Sequence, residues 1–226
     1  MNYLKSGIWI SVLLMSVVLL SGCLNRETPA EKMYTVLENV VEAEKEFEEQ
    51  QTPLVQLEKQ EQELYDQIIA LSMKEFEEIQ SLSDEALSSA AQREEHMEAE
   101  KQSIDASKEE FQKIPEIIDE IEEEELKSEA QQLYDTMMER YDLHDTLYAQ
   151  YSEALNNDKK LYELFKTEDL TLDQLEEQIT MINESYEQVL QTNEDFNEKT
   201  ANYNDIKLSF YQAAGLEVDT GEDDQE

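Results

Sequence analysis

The sequence contains very little glycine and proline. Among 226 residues there are 4 glycines and 3 prolines, and Gly7 and Gly22 both fall within the first 22 residues. A fold of many short strands needs frequent turns, which these two residue types usually supply. Their scarcity argues against an all-β or α/β fold, and the abundant Glu, Gln, Leu, Lys and Ala favour helices.

Positively charged residues are also scarce. The sequence has 17 Lys and Arg against 56 Asp and Glu, a formal net charge of −39 at pH 7. Such a chain repels nucleic acid and anionic lipid headgroups. A nucleic-acid-binding function is therefore excluded, and we do not expect the protein to lie flat on a membrane. Repulsion among the acidic side chains also favours an elongated shape over a compact one.

Cysteine and histidine are almost absent. Cys23 is the single cysteine, so an intramolecular disulfide and a thiolate metal cluster are impossible. His96 and His144 lack the His-Glu-x-x-His spacing of zinc proteases, and the sequence contains no glycine-rich phosphate loop and no EF-hand loop. We therefore predict no catalytic residue, metal or cofactor, and expect a protein that is not an enzyme.

The first 22 residues have the features of a bacterial signal peptide. Lys5 provides a positive charge near the start, and residues 8–20 form an uncharged apolar run of 13 residues. A membrane-spanning helix needs about 20 apolar residues, so this run is too short to remain in the bilayer. Removal of residues 1–22 takes away Lys5 and no acidic residue, which changes the net charge from −39 to −40.

A four-residue motif ends this segment. It resembles the lipobox of bacterial lipoproteins, in which the cysteine receives a diacylglyceryl group and a peptidase cuts directly before it; the matching residues are Leu20, Ser21, Gly22 and Cys23. Two acyl chains give stable anchoring where one chain is marginal. We predict a lipidated, for example palmitoylated, Cys23 followed by a short tether over residues 23–28. The alternative is an ordinary cleaved signal peptide that leaves a free thiol.

The first part of the body predicts long helices. Thr28 and Glu31 form a capping box around Pro29, which suits the first helical position. Apolar residues then recur at alternating spacings of three and four, the periodicity of a coiled coil. Pro53 lies inside this run, so we expect a kink or a local break there. Residues 81–84 predict the start of the next helix.

The second part of the body continues the same pattern. Pro115 predicts an interruption, followed by a helical stretch from about residue 116 to 166 that residues 156–158 weaken. A capping box at Thr171 opens a helix with one heptad row from Leu175 to Phe210 and another from Leu172 to Tyr186, and Gly215 is placed to end it.

Residues 29–215 are therefore predicted to form an all-α, elongated antiparallel bundle or coiled coil of three to four long helices. The acidic tail at residues 216–226 is expected to be disordered. A single continuous coiled coil is the alternative, but Pro115 and the predicted short connections argue against it.

Several tyrosines recur near a seven-residue grid in this body. Tyrosine combines an apolar ring with a polar hydroxyl, so an exposed row could stack on sugars or contact a partner protein. The alternative is that the rings line the bundle core and place their hydroxyls at its wet edge. The candidate contact residues are Tyr134, Tyr141, Tyr148, Tyr151 and Tyr162.

The order of segments resembles one family. A lipobox ending at Cys23, then an acidic helical body with Pro115 near mid-chain, is similar to the YkyA-type lipoproteins of Gram-positive bacteria, which are described as cell-wall-binding. The resemblance implies an elongated helical bundle on the outer face of the cytoplasmic membrane and an association with the cell wall. We expect a non-catalytic wall-binding or spacer protein. The alternative is a coiled-coil interaction or assembly protein for another envelope protein.

Overall fold

The structure, a computed structural model, describes residues 27–216 of the chain. Within this range the secondary structure is helical, with no strand, and four long helical arms dominate. The all-α prediction is confirmed. The elements are α1 (Pro29–Ala43), α2 (Lys45–Ala70), a 3₁₀ turn η1 (Met73–Glu75), α3 (Phe76–Phe111), α4 (Ile114–Asp119), α5 (Glu124–Phe165) and α6 (Leu172–Ala213). Helices α1 and α2 together form the first arm, and α3, α5 and α6 are the other three.

The helices alternate in direction and form an elongated bundle. Near the start of α1, the rings of Tyr34 and Tyr211 lie 5.2 Å apart, which pairs the beginning of α1 with the end of α6. At the opposite end, the rings of Tyr65 and Phe165 lie 6.2 Å apart and pair the ends of α2 and α5. We call the end that contains Tyr34 and Tyr211 the N-terminal end. We call the opposite end, where the connections at residues 71–75 and 166–171 lie, the far end. A helix of 42 residues, such as α5, is about 63 Å long.

The helix boundaries at three predicted positions are confirmed. The Thr28 hydroxyl accepts a hydrogen bond from the backbone of Glu31 and opens α1, and Thr171 caps α6 in the same way. Gly215 has a φ of +67°, the left-handed conformation that glycine adopts without a steric penalty. Local capping chemistry therefore defines the two ends of the described helical body.

The predicted helix start at residues 81–84 is wrong, because those residues lie inside α3. The chain turns earlier, at Ser72, whose side chain and backbone form a capping box with Glu75. The Ser72 hydroxyl and backbone N–H each donate to the Glu75 carboxylate at 3.0 Å. This Ser-x-x-Glu pattern is the stronger of the two start signals because it satisfies free N–H groups reciprocally.

No break occurs at Pro53, which lies within the continuous helix α2. The interruption of the first arm falls instead at Glu44, between α1 and α2. The structure therefore corrects the prediction of a break at the proline. Leu54, directly after Pro53, is buried against α3 and α5, and this packing holds α2 together where one backbone hydrogen bond is lost.

Pro115 marks a real interruption, as predicted. Helix α3 ends at Phe111, and Pro115 lies in the first turn of α4, where its missing N–H costs no helical hydrogen bond. The stretch predicted from residue 116 to 166 is divided between α4 and α5. Residues 156–158 do not weaken α5, because Asn157 and Asp158 are buried and the helix continues to Phe165.

The apolar core is divided into three clusters along the bundle. The predicted heptad row of α6 supplies part of it, since Val189, Phe196, Tyr203 and Phe210 are buried. The second predicted row is incorrect at its first residue, because Leu172 is 68% exposed. None of the helices in the described part of the chain is both long and apolar enough to span a bilayer.

Candidate functional site

The lipobox residues Leu20, Ser21, Gly22 and Cys23 lie outside the described residues. The structure does place the segment that follows them. Thr28 caps α1 at the N-terminal end of the bundle, where its backbone N–H donates to Glu31 at 2.7 Å. The described chain thus enters the bundle at the end where α6 finishes.

The five candidate tyrosines do not form an exposed row. Tyr141, Tyr151 and Tyr162 are 0%, 7% and 3% exposed, and Tyr134 and Tyr148 are half-buried. Their spacing places the rings on the face of α5 that packs against the other helices. A ligand outside the bundle therefore cannot stack on the three buried rings.

The tyrosine hydroxyls bond to neighbouring helices. The Tyr148 hydroxyl donates to Glu98 at 2.8 Å, and the Tyr151 hydroxyl donates to Glu58 at 2.7 Å. The ring of Tyr134 stacks on that of Phe111, with centroids 5.5 Å apart. These contacts join α5 to α2 and α3, so the described tyrosines contribute to helix packing.

The most concentrated set of polar groups in the described residues surrounds Arg93. This side chain is only 2% exposed, and it lies between acidic groups of two other helices. Its Nη1 donates to Glu61 at 2.6 Å and to Asp158 at 3.3 Å. Glu58 lies 3.7 Å from its Nη2. One arginine on α3 thus joins α2 and α5 through three carboxylates.

Two tyrosines complete the surroundings of Arg93. The guanidinium donates to the Tyr151 hydroxyl at 2.9 Å and to the Tyr186 hydroxyl at 2.7 Å. The Tyr186 hydroxyl in turn donates to Asp158 at 2.5 Å. Because Tyr186 lies on α6, the set reaches all four long arms of the bundle. We call Arg93, Glu58, Glu61, Asp158, Tyr151 and Tyr186 the Arg93 cluster.

The Arg93 cluster holds more negative than positive charge. Burial raises the pKa of Asp158 to about 7, the Glu61 carboxylate adds to the rise, and Arg93 opposes it. Burial also raises the pKa of Glu61, again against the attraction of Arg93. A proton shared between these two carboxyls would leave one negative charge to balance Arg93. The cluster has three carboxyl groups and one guanidinium, so one proton retained on that pair changes its formal charge from −2 to −1.

A second ionic group lies nearer the N-terminal end, around Arg140. The two terminal nitrogens of Arg140 donate to the two carboxylate oxygens of Glu44, each at 2.8 Å. The Arg140 Nε donates to Thr200 on α6 at 2.9 Å. The Ser107 hydroxyl on α3 donates to Glu44 at 2.7 Å. This bidentate geometry fixes the position of Glu44, the residue at which α1 and α2 separate.

Two further titratable groups are buried between these ionic groups. Burial raises the pKa of Glu100 to about 8, with the Glu58 carboxylate contributing, and the Gln51 amide donates to Glu100. Burial lowers the pKa of His144 to about 4, with Arg140 and Lys101 contributing. Both groups therefore favour their neutral forms inside the bundle.

This interior has the chemistry of a structural core. Its arginines are paired, its carboxyls face arginine, hydroxyl or amide donors, and both ionic groups are enclosed by helices. Among residues 27–216 no group of three or more His, Cys, Asp and Glu side chains is arranged to hold a metal ion. An open groove between α5 and α6 is lined by Asp195, Glu198, Lys199 and Asp205 and carries no paired catalytic groups.

Sequence reasoning missed the buried charged residues, although a signal for them exists. Two of them lie on heptad rows between apolar core residues. Glu61 lies between Leu54 and Ile68, each seven residues away, and Asp158 lies between Tyr151 and Phe165 in the same way. A charged residue at a core heptad position indicates a buried pair that fixes register.

Comparison with known proteins identifies the family. A family model named YkyA, described as "Putative cell-wall binding lipoprotein", matches residues 28–213. The chain belongs to the YkyA family. The resemblance recognised in the sequence is therefore confirmed, and the match covers the whole helical body from the Thr28 cap to the end of α6.

A relative supports the same assignment, and a solved structure shares the fold. The chain is 36% identical over 214 residues to "Uncharacterized lipoprotein YkyA" of Bacillus subtilis (strain 168), covering 95% of this chain and 96% of that protein. A crystal structure of a conserved protein of unknown function from Staphylococcus aureus has a TM-score of 0.68 and 18% identity, and the similarity covers 83% of this chain and 97% of that one. The second similarity shows a shared fold alone.

Proposed function

We propose that this YkyA-family protein is a non-catalytic lipoprotein anchored by acyl chains on Cys23 at the outer face of the cytoplasmic membrane. Its helical body would contact the cell wall or hold a fixed spacing from it. The observation that carries the proposal is the position of Thr28, which opens α1 at the N-terminal end of the bundle.

The short tether would keep that end near the membrane. Six residue steps separate Cys23 from Pro29, and an extended chain spans at most about 3.5 Å per residue, or about 20 Å in total. The bundle itself is about 63 Å long. Net charge of the same sign as anionic lipid favours a body that extends away from the bilayer rather than lying on it.

The buried chemistry supports a non-catalytic role. Catalysis needs convergent groups in a cleft that substrate can enter. Arg93 and Arg140 are only 2% and 3% exposed, so the helices around them leave almost none of either residue accessible to a substrate. Arg93 and Arg140 join neighbouring helices, and a stiff spacer requires helices that are held together in this way.

Charge limits which parts of a wall the body could bind. A chain of net charge −40 repels anionic polymers, so neutral glycan strands or cation-bridged contacts are favoured. The family description supports an association with the wall and does not specify a polymer.

Co-sedimentation with purified peptidoglycan tests the proposal. The body, residues 24–226, is mixed with peptidoglycan that carries or lacks its anionic polymers, with and without Mg²⁺. We expect saturable binding to the stripped material, weaker binding when the polymers are present, and recovery of that binding on addition of Mg²⁺. An absence of binding under every condition would contradict wall contact.

A second function is favoured by one observation at the far end. Ile69, Met73 and Leu172 are exposed there, and exposed apolar side chains are a feature of protein contacts. In this alternative the anchored bundle is an interaction or assembly protein for another envelope protein. Binding to a protein segment without binding to peptidoglycan would distinguish it from the first proposal.

A further inference from the structure

The far end of the bundle exposes apolar side chains. Six large apolar side chains are exposed among residues 27–216, and three of them lie beside the two far-end connections. Ile69, Met73 and Leu172 are 53%, 57% and 68% exposed. Leu71 and Leu170, in the same two connections, pack against the core cluster beneath. We call Ile69, Met73 and Leu172, which lie at the same end of the bundle, the far-end patch.

The N-terminal end does not share this property. Its connection around α4 contains four isoleucines, and all of them are buried: Ile114, Ile117, Ile118 and Ile121 are 0%, 8%, 3% and 6% exposed. The fold can therefore cover apolar residues in a connection. Of the two ends of the described bundle, the far end is the one whose connections leave large apolar side chains exposed.

The charges around the far-end patch are mostly negative. Residues 66–78 and 166–177 contain nine acidic residues and two lysines. One lysine, Lys166, already lies 2.8 Å from Asp84. The nine acidic side chains are all exposed: Asp66, Glu75, Glu77, Glu78, Glu168, Asp169, Asp173, Glu176 and Glu177.

This combination of charge and apolar surface narrows the possible occupants. A second copy of the chain carries the same negative charge and is repelled, as is an anionic wall polymer. The far-end patch contains no aromatic ring, so it lacks the flat surface on which sugars stack. A positively charged polypeptide with apolar side chains complements both features.

We propose that the far-end patch is a docking surface for a basic amphipathic segment of another protein, whose apolar side chains cover Ile69, Met73 and Leu172. The inference does not depend on lipidation of Cys23 or on wall binding. It adds a contact of defined chemistry at the end of the bundle opposite the proposed anchor.

The test uses the purified protein without lipid and a photoreactive helical peptide of leucine and lysine. The triple variant Ile69→Gln, Met73→Gln, Leu172→Gln removes the patch. The matched control is Val55→Gln with Leu190→Gln, because these residues are 59% and 50% exposed away from the far end. Circular dichroism checks that each variant retains its helical content, which substitution at exposed positions should preserve.

We expect cross-links at residues 66–78 and 166–177, and a dissociation constant about tenfold higher for the triple variant than for the parent and the control. A control peptide of equal length, made of lysine and serine, has the charge but no apolar side chains. Its affinity for the parent should be as low as the affinity of the leucine and lysine peptide for the triple variant. Equal binding by all three proteins, cross-links along the middle of the bundle, or self-association of the parent through the far end would overturn the proposal.

Discussion

Arg140 on α5 forms a bidentate ion pair with Glu44, the residue at which the first helical arm is divided into α1 and α2. The same guanidinium lies 4.7 Å from the ring centroid of Phe196 on α6. The side chain of Arg140 is 4% exposed and that of Glu44 is 14% exposed. Arg140 therefore holds the break between α1 and α2 in place against α5 and α6.

Removal of Arg140 should strongly destabilise the fold. Arg140→Met leaves the largely enclosed Glu44 without its ion-pair partner, and breaking a buried pair in this way costs about 3–5 kcal/mol. Urea denaturation followed by circular dichroism measures the change in the free energy of unfolding. The control is Lys199→Met, which removes an exposed pair with Glu139 and should cost about 0–1 kcal/mol. Equal losses in the two variants would contradict the role assigned to Arg140.

Glu100 should make the protein less stable as pH rises. Its pKa is about 8 in the fold and near 4.5 in the unfolded chain, so between these values only the folded state retains the proton. The free energy of unfolding should therefore fall from pH 5 to pH 8, by up to about 1.4 kcal/mol per pH unit from this group. Asp158 acts in the same direction up to about pH 7.

Glu100→Gln tests this prediction, because the amide stays neutral at every pH. The variant should resemble the parent near pH 5 and exceed its stability near pH 8 in urea denaturation. Glu95→Gln, an exposed position on the same helix, is the control and should leave the pH dependence unchanged. A Glu100 variant whose stability follows the parent at both pH values would show that Glu100 is ionised in the fold.

His144 should destabilise the fold at acidic pH. Its ring centroid lies 5.7 Å from the ring centroids of both Phe47 and Phe196, and its Nδ1 has no hydrogen-bond partner among the described residues. The pKa of His144 is about 4 in the folded state and near 6.5 in the unfolded chain. Between these pH values the imidazole is protonated in the unfolded chain and neutral in the fold, which favours unfolding. Stability from this group therefore falls as pH decreases from 6.5 to 4.

His144→Leu should remove that loss. Its advantage over the parent should increase from pH 7 to pH 5 by up to about 1.4 kcal/mol per pH unit, measured by urea denaturation. His96→Leu on α3 is the control, since that ring is half-exposed. An advantage that is constant across this pH range would indicate a packing effect alone.

Pro53→Ala should stabilise the protein. Proline inside α2 removes one helical hydrogen bond and crowds the preceding turn, at a cost of about 3 kcal/mol relative to alanine in an ordinary helix. Alanine also makes the unfolded chain more flexible, which offsets part of the gain. We expect an increase of about 1–2 kcal/mol in the free energy of unfolding. Thr52→Ala is the neighbouring control, and a loss of stability at Pro53→Ala alone would show that the proline is required.

Local signals were sufficient to predict much of the fold. The capping boxes at Thr28 and Thr171 and the glycine at 215 depend on hydrogen bonds and backbone conformation within a few residues. The Ser72 box has the same form and was overlooked, although Ser-x-x-Glu is present in the sequence. Each of these features depends on residues that are close together in the chain, so the sequence alone is sufficient to predict it.

Features that depend on contacts between helices could not be predicted in the same way. The interruption at Glu44 has no glycine or proline, and it coincides with the ion pair to Arg140, 96 residues later. The tyrosine spacing indicated one helix face and left open whether that face was exposed. Burial of Arg93 could have been inferred only from its heptad position, between Ala86 and Glu100, both of which are buried.

The most direct test of the central proposal is the mass of the N-terminal peptide of the protein purified from bacterial membranes. We predict that the mature chain begins at Cys23 with a diacylglyceryl group, and that Cys23→Ala accumulates as uncleaved or released protein. A parent chain that begins at another residue, or a Cys23→Ala variant processed normally and retained in full on the membrane, would contradict it.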